Sequence, residues 1–275
     1  MITERPERTI RILGDLEQLT LSWFRYEPGE KGPDPHVHRQ HTDAFYVLEG
    51  EFEFGVGPDV RWVTGPPGTL VAAPANVVHT FRNASDATAV LLNIHAPSMG
   101  FGDMLRGRRD GRAEEAERFD QFEPPADGGR AVEDAIIRSP GEGTLITMGA
   151  SSVVFKAEGS DGDGTFSLSE TTVGAGFPGP VAHRHRRTVD SFYVLDGTLA
   201  FRLGEHELHA GPGSYVAVPP GNVHTFANPG DEAVRVLNVM APGGFEQYLK
   251  EAHAASAATP EAMAEIASRY DFEPA

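Results

Sequence analysis

Apolar and polar positions alternate in short runs along most of this chain. Phe52, Phe54 and Val56 alternate with Glu51 and Glu53, and Leu199, Phe201 and Leu203 alternate with Thr198, Ala200 and Arg202. A period of two predicts strands with one buried face each. The runs are broken by turn signals such as Gly65-Pro66-Pro67-Gly68, Gly211-Pro212-Gly213 and Pro229-Gly230-Asp231. That spacing is expected of an antiparallel barrel or sandwich, so the chain reads as all-β. Helix is expected only over residues 101–117 and 244–268, which are rich in Ala, Glu, Arg and Leu, with Thr259-Pro260-Glu261 as a helix start.

The pattern occurs twice. Phe45-Tyr46-Val47-Leu48-Glu49-Gly50 returns as Phe192-Tyr193-Val194-Leu195-Asp196-Gly197, and Val78-His79-Thr80-Phe81-Arg82-Asn83 as Val223-His224-Thr225-Phe226-Ala227-Asn228. The tails echo as well: Arg118-Phe119-Asp120-Gln121-Phe122-Glu123-Pro124 resembles Arg269-Tyr270-Asp271-Phe272-Glu273-Pro274. A repeat at this period means two copies of one domain, each followed by a helical extension. The run Pro124-Pro125-Ala126-Asp127-Gly128-Gly129 is the natural linker, which divides the chain into residues 1–125 and 126–275.

Composition narrows the partners. A formal charge of −17 repels nucleic acid and anionic membrane surfaces. The one short basic cluster, Arg106, Arg108 and Arg109, lies in an acidic connector and reads as a solvated face. There is no cysteine, so any metal must be held by nitrogen and oxygen. No apolar run has the length of a membrane span and the start lacks the pattern of a signal peptide, so a cytoplasmic location is expected.

Candidate chemistry comes from the histidines. His36 and His38 fall on one side of a strand, Asp43 follows, and His79 arrives from a later strand; His183, His185, Asp190 and His224 repeat the order. Three nitrogen donors and one oxygen donor suit a divalent transition metal, with Fe, Mn, Ni, Zn, Co and Cu all admissible, one ion per copy.

These spacings resemble the cupin superfamily. Its first motif is matched by His36, His38, Asp43 and Gly50, and again by His183, His185, Asp190 and Gly197; its second by Gly68, Pro74, His79 and Asn83, and by Gly213, Pro219, Gly221, His224 and Asn228. The resemblance covers both copies, over residues 21–96 and 165–241. It implies a bicupin, two tandem jelly-roll (double-stranded β-helix) barrels with a metal in each. Both copies carry Asp where the family usually has Glu, and Asn76 stands where the second motif has Gly. Among bicupins the flavonol dioxygenases, or quercetinases, are the nearest functional analogy, implying a small organic substrate, dioxygen, and a base role for Asp43 and Asp190. Cupin isomerases or decarboxylases and non-catalytic binding cupins are the alternatives. A monomer or a homodimer is expected.

Phe45, Phe52, Phe54 and Phe81, with Phe192, Phe201 and Phe226, would line a site for a planar substrate, or simply fill the barrels. His41, with Thr188 as its counterpart, reads as a surface residue or as support for the ligands. His95, His206, His209 and His253 match no motif position and read as structural or exposed. Arg184, Arg186 and Arg187 would steer an anion or face solvent. Asn83 and Asn228 are expected to close turns through backbone hydrogen bonds.

Overall fold

The computed structural model describes residues 2–5, 8–112, 115–255 and 259–275. The chain divides into two compact units, residues 1–142 with 161–165, and residues 143–160 with 166–275. Each is an antiparallel jelly roll of two facing sheets.

In the first unit the strands run β1 (Ile2–Arg5), β2 (Arg8–Leu16), β3 (Leu19–Tyr26), β4 (Val37–His38), β5 (Thr42–Glu49), β6 (Phe52–Val56), β7 (Arg61–Gly65), β8 (Leu70–Ala73), β9 (His79–Arg82) and β10 (Ala89–Ala96). They are followed by the helix α1 (Phe101–Arg109) and the short strands β11 (Gln121–Phe122) and β12 (Ile136–Arg138). The larger sheet is ordered β1-β2-β3-β10-β5-β8-β12 and the smaller β7-β6-β9, with β11 paired to β4. The second unit repeats the plan through β13 (Thr144–Met148), β14 (Ser151–Ala157), β15 (Ser167–Val173), β16 (His183–Arg184), β17 (Val189–Asp196), β18 (Leu199–Leu203), β19 (His206–Ala210), β20 (Tyr215–Val218), β21 (His224–Ala227) and β22 (Val234–Ala241). It closes with α2 (Glu246–Ala254), α3 (Pro260–Ser268) and β23 (Glu273–Pro274). Its sheets are ordered β13-β14-β15-β22-β17-β20 and β19-β18-β21-β16-β23.

The alternating runs behave as their period requires. Phe52, Phe54 and Val56 on β6 are buried, with Phe45 and Phe81 against them, in one apolar core. Leu199 and Phe201 on β18 lie in the equivalent core of the second unit. Each buried phenylalanine contributes about 1.5–3 kcal/mol over an exposed one, so these faces fix the register of the strands.

Among the described residues α-helix is confined to the extensions: α1 stops at Arg109, short of the expected 117, and the second extension holds α2 and α3, the latter starting at the expected Thr259-Pro260-Glu261. The hydroxyl of Thr259 caps α3 by accepting from the backbone N–H of Ala262 at 3.4 Å, with Pro260 in the first turn. Residues 126–142 lie in the first unit, where β12 adds to the edge of its larger sheet against β8.

Candidate metal centres

Backbone pairing brings the first cluster together. His36 and His79 exchange both backbone hydrogen bonds, at 3.1 and 3.0 Å, which sets the start of β9 beside the approach to β4. Asp43 stands on β5, opposite Ala73 on one side and His95 on the other. Potential ligand atoms of His36, His38, Asp43 and His79 then lie within 4.8 Å of one another, all four side chains buried. His183, His185, Asp190 and His224 meet the same condition in the second unit. Every residue expected at a metal centre is therefore in one of two compact clusters.

Backbone carbonyls set the tautomers. Nδ1 of His36 donates to Asp34 O at 2.8 Å, that of His38 to Asp120 O at 2.8 Å, and that of His79 to Val77 O at 2.9 Å. In the second unit His183 donates to Val181 O at 2.9 Å, His224 to Asn222 O at 3.2 Å, and His185 to Asp271 O. A neutral imidazole holding its proton on Nδ1 presents a lone pair at Nε2. Three such lone pairs converge in each cluster.

A carboxylate completes each set. Asp43 Oδ1 accepts from Asn93 Nδ2 at 2.5 Å, leaving Oδ2 facing His79 Nε2 at 3.3 Å and His38 Nε2 at 3.6 Å. Asp190 Oδ1 accepts from Asn238 Nδ2 at 2.6 Å, with Oδ2 at 3.1 Å from His224 Nε2 and 3.8 Å from His185 Nε2. His38 Nε2 and His185 Nε2 are buried with no hydrogen-bond partner. Orphaned polar atoms of this kind are costly, and the same atom is orphaned at the same position of both units. A cation amid three nitrogens and a carboxylate oxygen would satisfy them, so the residues fit a divalent metal.

Electrostatics agree with that donor set. Burial, reinforced by the rings of His79 and His38, pushes the His36 pKa well below its usual value. Burial, then the His224 ring, lowers that of His183 to about 4. Both rings are neutral at neutral pH and available to bind a metal. Burial alone would raise the Asp43 pKa, but His95, His38 and His79 outweigh it and hold the carboxyl well below the usual carboxylate range. For His224 burial opposes charge, and the Asp190 carboxylate prevails and raises its pKa.

The two surroundings differ. The first centre opens onto a cavity of about 1130 Å³ bordered by His36, His38, Asp43, Asn93 and His95, with Phe24, Tyr26, Phe81, Phe101, Met104 and Phe122 among its apolar walls. Of the phenylalanines expected to line a site in this unit, only Phe81 borders the cavity. Phe45, Phe52 and Phe54 lie in the core, where Phe54 packs at a tilt against both of the others, its ring centroid 5.5 Å from that of Phe45 and 6.1 Å from that of Phe52. In the second unit Phe272 stacks on His183 at 4.6 Å, Phe245 meets His185 edge-on at 4.7 Å, and Tyr248 stacks on Phe272 at 5.0 Å. Phe272 follows Asp271 where Gln121 follows Asp120, so strand register places an aromatic ring in one unit where the other has an amide.

His41 and His95, outside the motif, are both buried and hydrogen-bonded to each other, His41 Nε2 to His95 Nδ1 at 2.8 Å. His206 and His209 are exposed, and His253 is half-buried. Arg184, Arg186 and Arg187 face solvent, the first two paired with Glu273. Asn83 Nδ2 donates to the carbonyls of Tyr26, Glu27 and Ala87, and Asn228 makes the equivalent set with Val173, Gly174 and Glu232. Sequence reasoning passed over Asn93 and Asn238. The signal was present: both stand at the centre of the last barrel strand, in Leu92-Asn93-Ile94 and Leu237-Asn238-Val239, as a polar residue in a buried apolar run.

A model of the cupin domain matches the chain twice, over residues 22–95 and 169–240. The chain is similar to quercetin 2,3-dioxygenase of Bacillus subtilis (strain 168), 23% identical over 273 residues, covering 87% of this chain and 77% of that protein. Among solved structures it is similar to a putative glyoxylate induced protein of Pseudomonas aeruginosa, with a TM-score of 0.61, 14% identity, and 86% and 83% of the two chains covered. It is also similar to oxalate decarboxylase of Bacillus subtilis, with a TM-score of 0.57, 15% identity, and 97% and 83% covered.

Proposed function

The chain belongs to the cupin family, and from that premise we propose that it is a metal-dependent bicupin that oxygenates a small planar organic molecule at the centre of its first unit. One observation carries the reading: a cavity of about 1130 Å³ with aromatic walls reaches His36, His38 and Asp43, large enough for a multi-ring substrate. The curated relative acts on quercetin, a molecule of that class.

His36, His38 and His79 would hold a divalent ion through Nε2, with Asp43 as the fourth donor or as a free carboxylate beside it; His183, His185, His224 and Asp190 would do so in the second unit. Bound there, a transition metal supplies Lewis-acid polarisation of a substrate oxygen and, if redox-active, a partner for dioxygen. The chain's own contribution is to position and to take a proton. Phe24, Tyr26, Phe81 and Phe101 present ring faces and edges to a flat substrate and exclude water from it. Asp43 faces the same space and is ionised, so its Oδ2 accepts a hydrogen bond from a substrate hydroxyl; its low pKa makes it a weak base, suited to taking the proton of an acidic hydroxyl. The second centre, beneath Phe272 and Phe245, has a structural part in this scheme.

Decarboxylation of a small dicarboxylate is the second reading, prompted by the fold shared with oxalate decarboxylase. The cavity speaks against it. Its basic residues, Arg39 and Arg108, stand among Asp34, Glu115, Glu117 and Glu123, and Arg39 lies over the Phe122 ring at 3.7 Å. A dianion gains little from such a lining.

Metal-loaded protein is to be incubated with quercetin in air and under argon. Consumption of quercetin in air and none under argon is the expected result. Turnover that is unchanged without oxygen would overturn the oxygenase reading, and release of carbon dioxide from oxalate would favour the second.

A further inference from the structure

The geometry points to His95 as a positioning residue of the first centre: with His41 and Asp120 it forms the middle of a buried string of hydrogen bonds that links Asp43 to His38. This inference rests on the metal-binding reading above and deepens it.

The string can be followed atom by atom. Asp120 O accepts from His38 Nδ1 at 2.8 Å, and Asp120 Oδ2 accepts from His41 Nδ1 at 2.8 Å. His41 Nε2 lies 2.8 Å from His95 Nδ1, and His95 Nε2 lies 3.1 Å from Asn93 Oδ1. Asn93 Nδ2 returns to Asp43 Oδ1.

Direction follows from the amide. Asn93 Nδ2 faces two acceptors, Asp43 Oδ1 and Ala44 O, so its Oδ1 must face His95 and His95 must present an N–H at Nε2. His41 Nδ1 donates to the Asp120 carboxylate, and one proton is shared between His41 Nε2 and His95 Nδ1. Phe101 stacks on His95 with centroids 3.5 Å apart and blocks its rotation. Asp120 also accepts from the backbone N–H groups of Arg39 and Gln40, so one carboxylate anchors the whole segment between His38 and Asp43. His41, Asn93, His95 and Asp120 are each 2% exposed or less, which keeps water from competing for these bonds.

The second unit has both ends of this chain but not its middle. Asp271 O accepts from His185 Nδ1, and Asn238 donates to Asp190. Thr188 bonds Asp271 where His41 bonds Asp120, and Met240 is the strand partner of Asp190 where His95 is that of Asp43. A thioether brings no N–H to Asn238. The complete string is found in the unit whose carboxylate faces the large cavity, where a ligand set must keep its shape while substrate enters and leaves.

The test uses full-length protein loaded with cobalt(II). A His183→Ala/His185→Ala background isolates the first centre, and a His36→Ala/His38→Ala background isolates the second. His95→Met, which copies the second unit, should weaken cobalt binding at the first centre roughly 10–100-fold and change its visible absorption bands. His95→Gln, which keeps an N–H donor, should recover most of the affinity and the spectrum. In the second background His95→Met should leave cobalt binding and its spectrum unchanged. An unaltered first-centre affinity and spectrum in His95→Met would overturn the inference, as would equal losses at both centres, which would mark a global folding defect. If the first centre of the unsubstituted histidine set takes no cobalt at all, the metal reading fails and this inference with it.

Discussion

Asn93 donates its amide hydrogen to Asp43, Nδ2 to Oδ1 at 2.5 Å, and this contact leaves only Oδ2 of the carboxylate facing His38 and His79. An aspartate is one methylene shorter than the glutamate usual in this motif. Its approach to the histidine nitrogens therefore depends on how its carboxylate is turned. Replacement of Asn93 by Ala should free that rotation and weaken metal binding at the first centre roughly 10–100-fold, with little change at the second. Asn238→Ala should do the reverse. Isothermal titration of each variant with Mn(II) or Co(II) checks both.

Acidification should empty and destabilise the centres. The folded-state pKa of His183 is about 4 and that of His36 is also depressed, against 6.5 for an unconstrained imidazole. Between about pH 6.5 and 4 the unfolded chain therefore binds protons that the folded chain refuses. Stability is fully present above that window and is lost as pH falls through it. Because protons and metal compete for Nε2, metal release should follow the same window. Urea denaturation and metal content measured from pH 7.5 to 4 check the prediction. Stability that rises on acidification would contradict it.

Asn76 should tolerate glycine and resist β-branched residues. It stands in the left-handed region with φ 66°, as Gly221 does in the second unit with φ 83°. Each donates its backbone N–H to the carbonyl of a candidate ligand histidine, Asn76 to His38 and Gly221 to His185. Asn76→Val should cost about 1–2 kcal/mol in urea denaturation. Asn76→Gly should lie within about 0.5 kcal/mol of the parent.

Access to the first centre should depend on the side chain at position 121. Gln121→Phe would place in the first unit the ring that Phe272 stacks over His183. Quercetin binding, followed by its absorption shift, should fall at least about tenfold in that variant while metal content stays unchanged. Phe272→Gln should leave quercetin turnover within about twofold.

Much of this architecture was legible in the sequence because it rests on short periodic patterns. The alternation of Phe52, Phe54 and Val56 specified a buried strand face, and the His-x-His spacing brought His36 and His38 into one cluster. What escaped depends on contacts distant in sequence. His41 meets Asp120 and His95 across 79 and 54 residues, and no local pattern announces such pairs. Asn93 could have been found as a polar residue within a fully buried strand. For Phe45, Phe52 and Phe54 the sequence left open whether they line a site or fill the barrel, because aromatic composition does not tell which end of a barrel a side chain faces; they fill it. The lengths of α1 and α2 were likewise beyond reach, since Ala-rich and Glu-rich composition sets helix content and not its ends.

The most direct test of the account is the metal content of protein purified without chelator, set beside His36→Ala, His183→Ala and the double variant. The account predicts about two equivalents of transition metal per chain, about one in each single variant and none in the double variant, as two separate clusters require. Absence of bound metal from the parent protein, even after reconstitution with Mn(II), Fe(II), Co(II) and Ni(II), would contradict it.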